Sequence, residues 1–306
     1  MTTTVRPDGE VPVPVPVLSA ARPVPRPGRR RGARRQLRAG PVAYAVLVLF
    51  TAGSVLPLVW TAVAASRDNT RLAHTPPPLW FGGNLPRNLG AAWTDANLGL
   101  ALLNTTLVAG SVALGTVFFC TLAGFAFAKL RFRGKNVLLT LTVGTMMVPA
   151  QLSVVPLFML IAELGWTDRL QTVVLPTLVS AFGVFFMRQY LVEALPTELI
   201  EAARVDGANS LRVVRHVVVP VARPAMAVLG MLSFVQAWND FFWPVIALTQ
   251  DNPTVQVALT GLGRGYVPDQ AVVMAGALLG TLPLLLVLAL FGRHIVGGIM
   301  RGAVKG

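Results

Sequence analysis

The residue with most chemistry to explain is Asp240, the one acid in an otherwise charge-free run over 224–250. A charge held at the centre of a membrane span costs about 2.5–3.5 kcal/mol on insertion scales, so an acid there needs a partner or a task. Gln236 and Asn239 lie four residues and one residue before it, and on a helix Gln236 shares a face with both. Trp238, Phe241, Phe242 and Trp243 surround this polar strip. Amides and a carboxylate bond hydroxyls, and flat rings cover C–H faces, which suits a sugar ring. Such rings also form belts at membrane–water interfaces, and an acid near a span end can pair with a neighbouring helix or water. Both readings of the strip stand at this point, with Gln236, Trp238, Asn239 and Asp240 as candidate path residues. Asn104, Gln151 and Ser153 are weaker candidates, because lone amides and hydroxyls in spans more often bond between helices.

Other reactive types are sparse. His74, His216, His294 and Cys120 have no close spacing that would make a metal site, and one Cys makes no disulfide. Cys120, Met146 and Met147 read as packing residues. A phosphate-binding G-x-x-x-x-G-K-[ST] loop is missing: the one Gly-Lys pair, Gly134-Lys135, is followed by Asn136, and Lys129 stands where the first Gly belongs. The acids are scattered over loops, which leaves no paired-carboxylate or Ser-His-Asp site. We expect no catalytic residue, no metal ligand and no cofactor bound by this chain.

The elements that must position these residues follow from composition. Of 306 residues 54% are hydrophobic and 13% charged, with mean hydropathy +0.64, which excludes an ordinary soluble enzyme and a disordered chain. A helix crossing a bilayer needs about 20 apolar residues. Charge-free or nearly charge-free runs predict six transmembrane helices, at about 42–64, 104–128, 137–161, 171–190, 224–248 and 271–291. Five of them hold an internal proline (Pro57, Pro149 and Pro156, Pro176, Pro244, Pro283), tolerable in a packed membrane bundle but not in a soluble helix core.

The net charge of +13 would by itself suggest a nucleic-acid binder, but its distribution gives an orientation. Of 26 Lys and Arg, 21 fall before the first predicted span, after the second and fourth, and after the sixth. The positive-inside rule then places both termini in the cytoplasm, and an even number of spans independently requires a shared side. No nucleic-acid partner is needed. Residues 1–40, with a Val-Pro repeat and an Arg-rich run, read as an unpacked cytoplasmic tail whose arginines can meet anionic membrane lipid. Residues 41–292 form the membrane domain and 293–306 a cytoplasmic tail. The segments on the other side are too short to form a solute-binding domain, so a captured solute must arrive on another protein.

Between the fourth and fifth spans, 195–220 reads as two short helices. Pro196 and Thr197 open the first, with Glu198 in its first turn, and Asp206-Gly207 ends it, glycine supplying a left-handed residue. Asn209 or Ser210 caps the second, with Leu211, Val214 and Val217 or Val218 as its apolar stripe, and Pro220 ends it.

Glu201-Ala202-Ala203, Gly207 and Val217-Val218-Val219-Pro220, at their spacing, resemble the EAA loop of ABC-transporter permease subunits, with Val217 and Val219 where the family usually has Ile and Leu. Asn104-Thr105-Thr106, Met147-Val148-Pro149, Ala237-Trp238-Asn239-Asp240-Phe241 and Gly302-Ala303-Val304-Lys305-Gly306 are similar to the carbohydrate-uptake branch, and most similar to the second permease of maltose-type sugar or glycerol-phosphate importers. The resemblance implies an all-α, type I importer permease in a bacterial cell membrane, with Glu201, Ala202, Ala203, Asp206, Gly207 and Pro220 coupling it to an ATPase. It implies, as partners, a second permease subunit, an ATPase dimer carrying ATP and Mg, and an extracytoplasmic solute-binding protein. A permease for amino acids or peptides is the alternative, and an ion-coupled secondary transporter a further one that a single intramembrane acid supports poorly.

Overall fold

The computed structural model describes residues 40–264 and 268–303. The tail expected over 1–40 therefore lies, Gly40 aside, outside the described residues, as do 304–306. Among the described residues every regular element is helical. The chain forms two units, one ending at Val55 and the other running from Leu56. The described part of the first is the N-terminal portion of α1 (Pro41–Ala65), whose side chains are exposed and almost all apolar, a surface suited to lipid rather than water.

The second unit is built around α3 (Leu98–Lys129), which follows α2 (Leu85–Asp95). At 1.5 Å per residue α3 spans about 48 Å, more than a bilayer core. It starts six residues before the expected 104 because Leu98, Leu100 and Ala101 continue the apolar pattern. Along it pack α7 (Ala181–Ala194) and α10 (Val219–Trp238). The approach of α3 to α7 depends on small residues: a Cβ added at Gly124 would lie 2.8 Å from the backbone nitrogen of Arg188. Cys120, Phe125, Val184, Met187, Leu191 and Leu229 fill the resulting core.

Two expected spans are bent. The run over 137–161 divides into α4 (Lys135–Thr145) and, after a 3₁₀ turn at Ala150–Ser153, α5 (Val154–Glu163), with 94° between the halves. Pro149 stands at the break in an extended conformation, and a proline also disfavours helical geometry in the residue before it. The run over 171–190 divides into α6 (Leu170–Val174), a 3₁₀ turn at Leu175–Thr177 containing Pro176, and α7, bent by 41°. The Ser180 Oγ accepts the Gly183 N–H at 2.9 Å and restarts the helix. Four helices are thus long and apolar enough to cross a membrane, and up to six segments if each bent pair counts as one.

After α7 come α8 (Thr197–Val205) and α9 (Ser210–Val213). Here the expectation that Pro220 ends a short helix is corrected. A π-helical turn at Val214–Val218 joins α9 to α10, so the helix continues from Ser210 to Trp238 with Pro220 and Pro224 inside it. The Val219 N–H bonds the Val214 carbonyl, five residues back. The ladder has already shifted where Pro220 would withhold an N–H from His216. The expected stripe holds in part: Val214, Val217 and Val218 pack on the core and Val213 joins them, but Leu211 is 75% exposed.

The fifth expected span, 224–248, is broken at 239–241 and resumes as α11 (Phe242–Ala247). α12 (Val255–Leu262) and α13 (Gln270–Ala303) follow. The last helix extends past the expected end at 291, with no proline after Pro283 to stop it.

Candidate functional site

The break after Trp238 creates the first candidate site. Gln236, Asn239 and Asp240 line one cavity of 710 Å³. They do so by a different route from the shared helix face read in the sequence: α10 stops at Trp238 and the non-helical step at 239–241 turns Asp240 inward. Asp240 is half-buried there, and the Asn239 Nδ2 donates to the Val235 carbonyl at 2.8 Å.

The bent segments supply the opposite walls. Gln151 and Ser153 reach the cavity from the 3₁₀ turn before α5, Thr177 and Ser180 from the α6–α7 bend, and Val108 and Val112 from α3. The aromatic wall is Phe241, Phe242 and Trp243. The Trp243 ring is held in place because its Nε1–H donates to the Thr172 carbonyl at 3.0 Å.

Two sequence candidates lie elsewhere. Trp238 is buried, its Nε1–H donates to the Gly280 carbonyl at 3.2 Å, and it stacks on Phe234 with ring centres 5.6 Å apart. Asn104 is buried, with Nδ2 donating to the Asn252 Oδ1 at 2.9 Å and the Pro253 carbonyl at 3.0 Å. Both join elements rather than face the cavity. Sequence reading missed Ser233 and Thr116, which do line it. Each is a single small hydroxyl in an apolar helix, and nothing in its spacing marks it.

The second candidate site is the α8–α9 hairpin. Its closing turn is a Schellman arrangement: Gly207, with φ +77°, donates its N–H to the Arg204 carbonyl at 3.0 Å, and Ala208 donates to Ala203 at 2.9 Å. The Asn209 Oδ1 accepts the Arg212 N–H at 2.9 Å and caps α9. Leu195, Ile200, Val213 and Val218 anchor the hairpin in the core that holds Cys120 and Met187. Facing outward are Glu201, Ala202, Asp206, Gly207 and Pro220, while Ala203 is half-buried against the core. Val205 is 88% exposed and, with Leu211, adds an apolar outer surface that sequence reading did not single out. Among the described residues no group of three or more His, Cys, Asp or Glu could hold a metal.

Comparison with known proteins agrees with this architecture. Residues 120–301 match the family described as binding-protein-dependent transport system inner membrane component. The chain is 31% identical over 265 residues to the lactose transport system permease protein of Rhizobium radiobacter, covering 86% of this chain and 96% of that one. It is 30% identical to the sn-glycerol-3-phosphate transport system permease protein of Salmonella choleraesuis, over 84% of this chain and 95% of the other. It is 31% identical to the arabinooligosaccharides transport system permease protein of Bacillus subtilis, over 70% and 73%. Its fold is similar to a chain of a bacterial ABC transporter involved in the import of the acidic polysaccharide alginate, with a TM-score of 0.70 and 22% identity, covering 88% of this chain and 99% of that one.

Proposed function

The chain belongs to the family of binding-protein-dependent transport system inner membrane components, and from that premise we propose that it is a multi-pass permease subunit of an ATP-driven sugar importer. The single observation that carries the reading is the unbroken helix from Ser210 to Trp238. Its first turns belong to the exposed hairpin and its last reaches the cavity at Gln236. At 1.5 Å per residue it is a rod of about 43 Å, so a push on the hairpin is delivered at the cavity wall.

In this reading four long helices and two bent pairs make six crossings, both termini lie in the cytoplasm, and 195–220 meets a separate ATPase pair there. ATP and Mg are bound by that pair. A second permease subunit completes the path and an extracytoplasmic binding protein delivers the solute. Nucleotide binding drives alternating access by favouring one of two conformations, and the rod with its Schellman turn is the joint through which that preference acts. Glu201, Ala202, Ala203, Asp206 and Gly207 form the contact, while Gln236, Asn239 and Asp240 line the path. The relatives named for lactose, arabinooligosaccharides and sn-glycerol-3-phosphate favour a sugar over an amino acid or peptide.

Affinity purification of the full chain from its native membrane tests this. An ATPase, a second permease and a binding protein should accompany it, and the reconstituted complex should accumulate sugar only with ATP. Uptake by the chain alone under a proton gradient would overturn it.

A further inference from the structure

The charges around the cavity separate the kinds of solute for which the relatives are named. Resting on the importer reading, we propose that the path through this subunit takes uncharged polyhydroxyl solutes and discriminates against anionic ones, sugar phosphates and uronates included.

Among the described residues that line the cavity the only charged one is Asp240, and none is Lys, Arg or His. A phosphate or carboxylate taken out of water needs charge-assisted donors, most often an Arg fork or a Lys ammonium. This wall offers neutral ones: the amides of Gln151 and Gln236, the amide hydrogen of Asn239 not given to Val235, and the hydroxyl of Ser233, while the Ser153 hydroxyl, which donates to the Ala150 carbonyl at 2.7 Å, remains an acceptor. Amides and hydroxyls both donate and accept, which matches a solute hydroxyl, itself donor and acceptor. The Asp240 carboxylate only accepts. Ionised, it takes a hydrogen bond from a neutral sugar and repels an anion. The aromatic wall completes the fit by covering the C–H face of a ring. The volume of 710 Å³ lies within the range of about 300–1,000 Å³ usual for small-molecule sites.

The binding protein and second permease also screen solutes, so the test reads binding to the purified permease–ATPase complex without binding protein. The probes are maltotriose and trigalacturonate, similar in size and different in charge, measured by calorimetry. Wild-type complex should bind maltotriose at least about tenfold more tightly, a factor that corresponds to about 1.4 kcal/mol. Asp240→Asn should narrow that ratio at least threefold, and Gln236→Arg should narrow or invert it. Equal or tighter binding of trigalacturonate by the wild type, binding of neither probe, or a ratio that neither variant moves overturns the proposal. ATP-driven uptake by the complete importer distinguishes the two levels of the argument. A complex that imports a uronate or sugar phosphate keeps the importer reading and overturns this one, whereas one that imports no sugar overturns both.

Discussion

The indole of Trp238 and the backbone of Gly280 meet across two helices, Nε1–H to carbonyl at 3.2 Å. Five residues on, Trp243 makes the corresponding bond to the Thr172 carbonyl at 3.0 Å and yet forms part of the cavity wall. Two tryptophans of one short motif thus have separate tasks, one joining α10 to α13 and the other presenting a fixed ring to the cavity. Trp238→Phe loses the bond and, at this buried site, the pyrrole part of the indole. It should lower stability in detergent by about 2 kcal/mol, seen as a lower melting temperature, with unchanged apparent affinity for the transported sugar. A changed affinity with unchanged melting would count against the assignment.

Asn104 ties α3 to the segment at 252–253, next to the bond from the Val255 N–H to the Thr105 Oγ1 at 2.8 Å. Each interhelical bond in a membrane protein contributes about 0.6 kcal/mol on average. Asn104→Leu should therefore cost about 1 kcal/mol and speed hydrogen exchange over residues 249–254. Preference between neutral and anionic sugars should stay as in the wild type.

Gly124 and Gly110 are both on α3, but only Gly124 faces another backbone closely. Gly124→Leu should prevent accumulation of folded protein, since the helices must separate and overpacking costs about 1–3 kcal/mol or more. Gly110→Leu, with nothing within 4 Å of an added Cβ, should accumulate normally in the same fluorescence-detected size-exclusion assay.

Gly207 has open space around it, so its requirement is conformational rather than steric. Gly207→Ala places a side chain at φ +77° and should cost roughly 1–2 kcal/mol, lowering stimulated ATPase activity only in part. Gly207→Pro cannot adopt that φ and also deletes the N–H bonded to Arg204, so stimulated ATPase should be lost while the protein still reaches the membrane. Full stimulation in Gly207→Pro would show that the hairpin is not the joint.

Val205 and Leu211 are exposed on the hairpin, so charges there leave the subunit's own core intact. Val205→Glu with Leu211→Glu should reduce co-purification of the ATPase at least severalfold at unchanged permease yield. Full recovery of the ATPase would exclude these two side chains from the contact.

Much of the hairpin was legible because its signals are local. The Asn209 cap and the left-handed Gly207 depend on a few adjacent residues, and each is found where composition and spacing put it. The end at Pro220 was misread for a reason equally local in origin but invisible in one dimension. A π turn absorbs the missing N–H, and nothing in Val214–Val218 announces a five-residue bonding step.

The cavity divides along the same line. Long apolar runs and a lone acid among amides and rings follow from composition, because transfer to lipid depends mainly on each segment's own residues. Which polar side chains meet is another matter. Gln236 and Asp240 converge with Gln151 only because Pro149 breaks one span and the chain breaks again at 239–241, whereas Trp238 and Asn104, equally prominent in the sequence, are turned into contacts between helices. Hydropathy and spacing determined the segments and their motifs by themselves. Only the tertiary structure decided which residues face the cavity, because helix breaks and packing contacts, rather than periodicity, set the direction in which a side chain points.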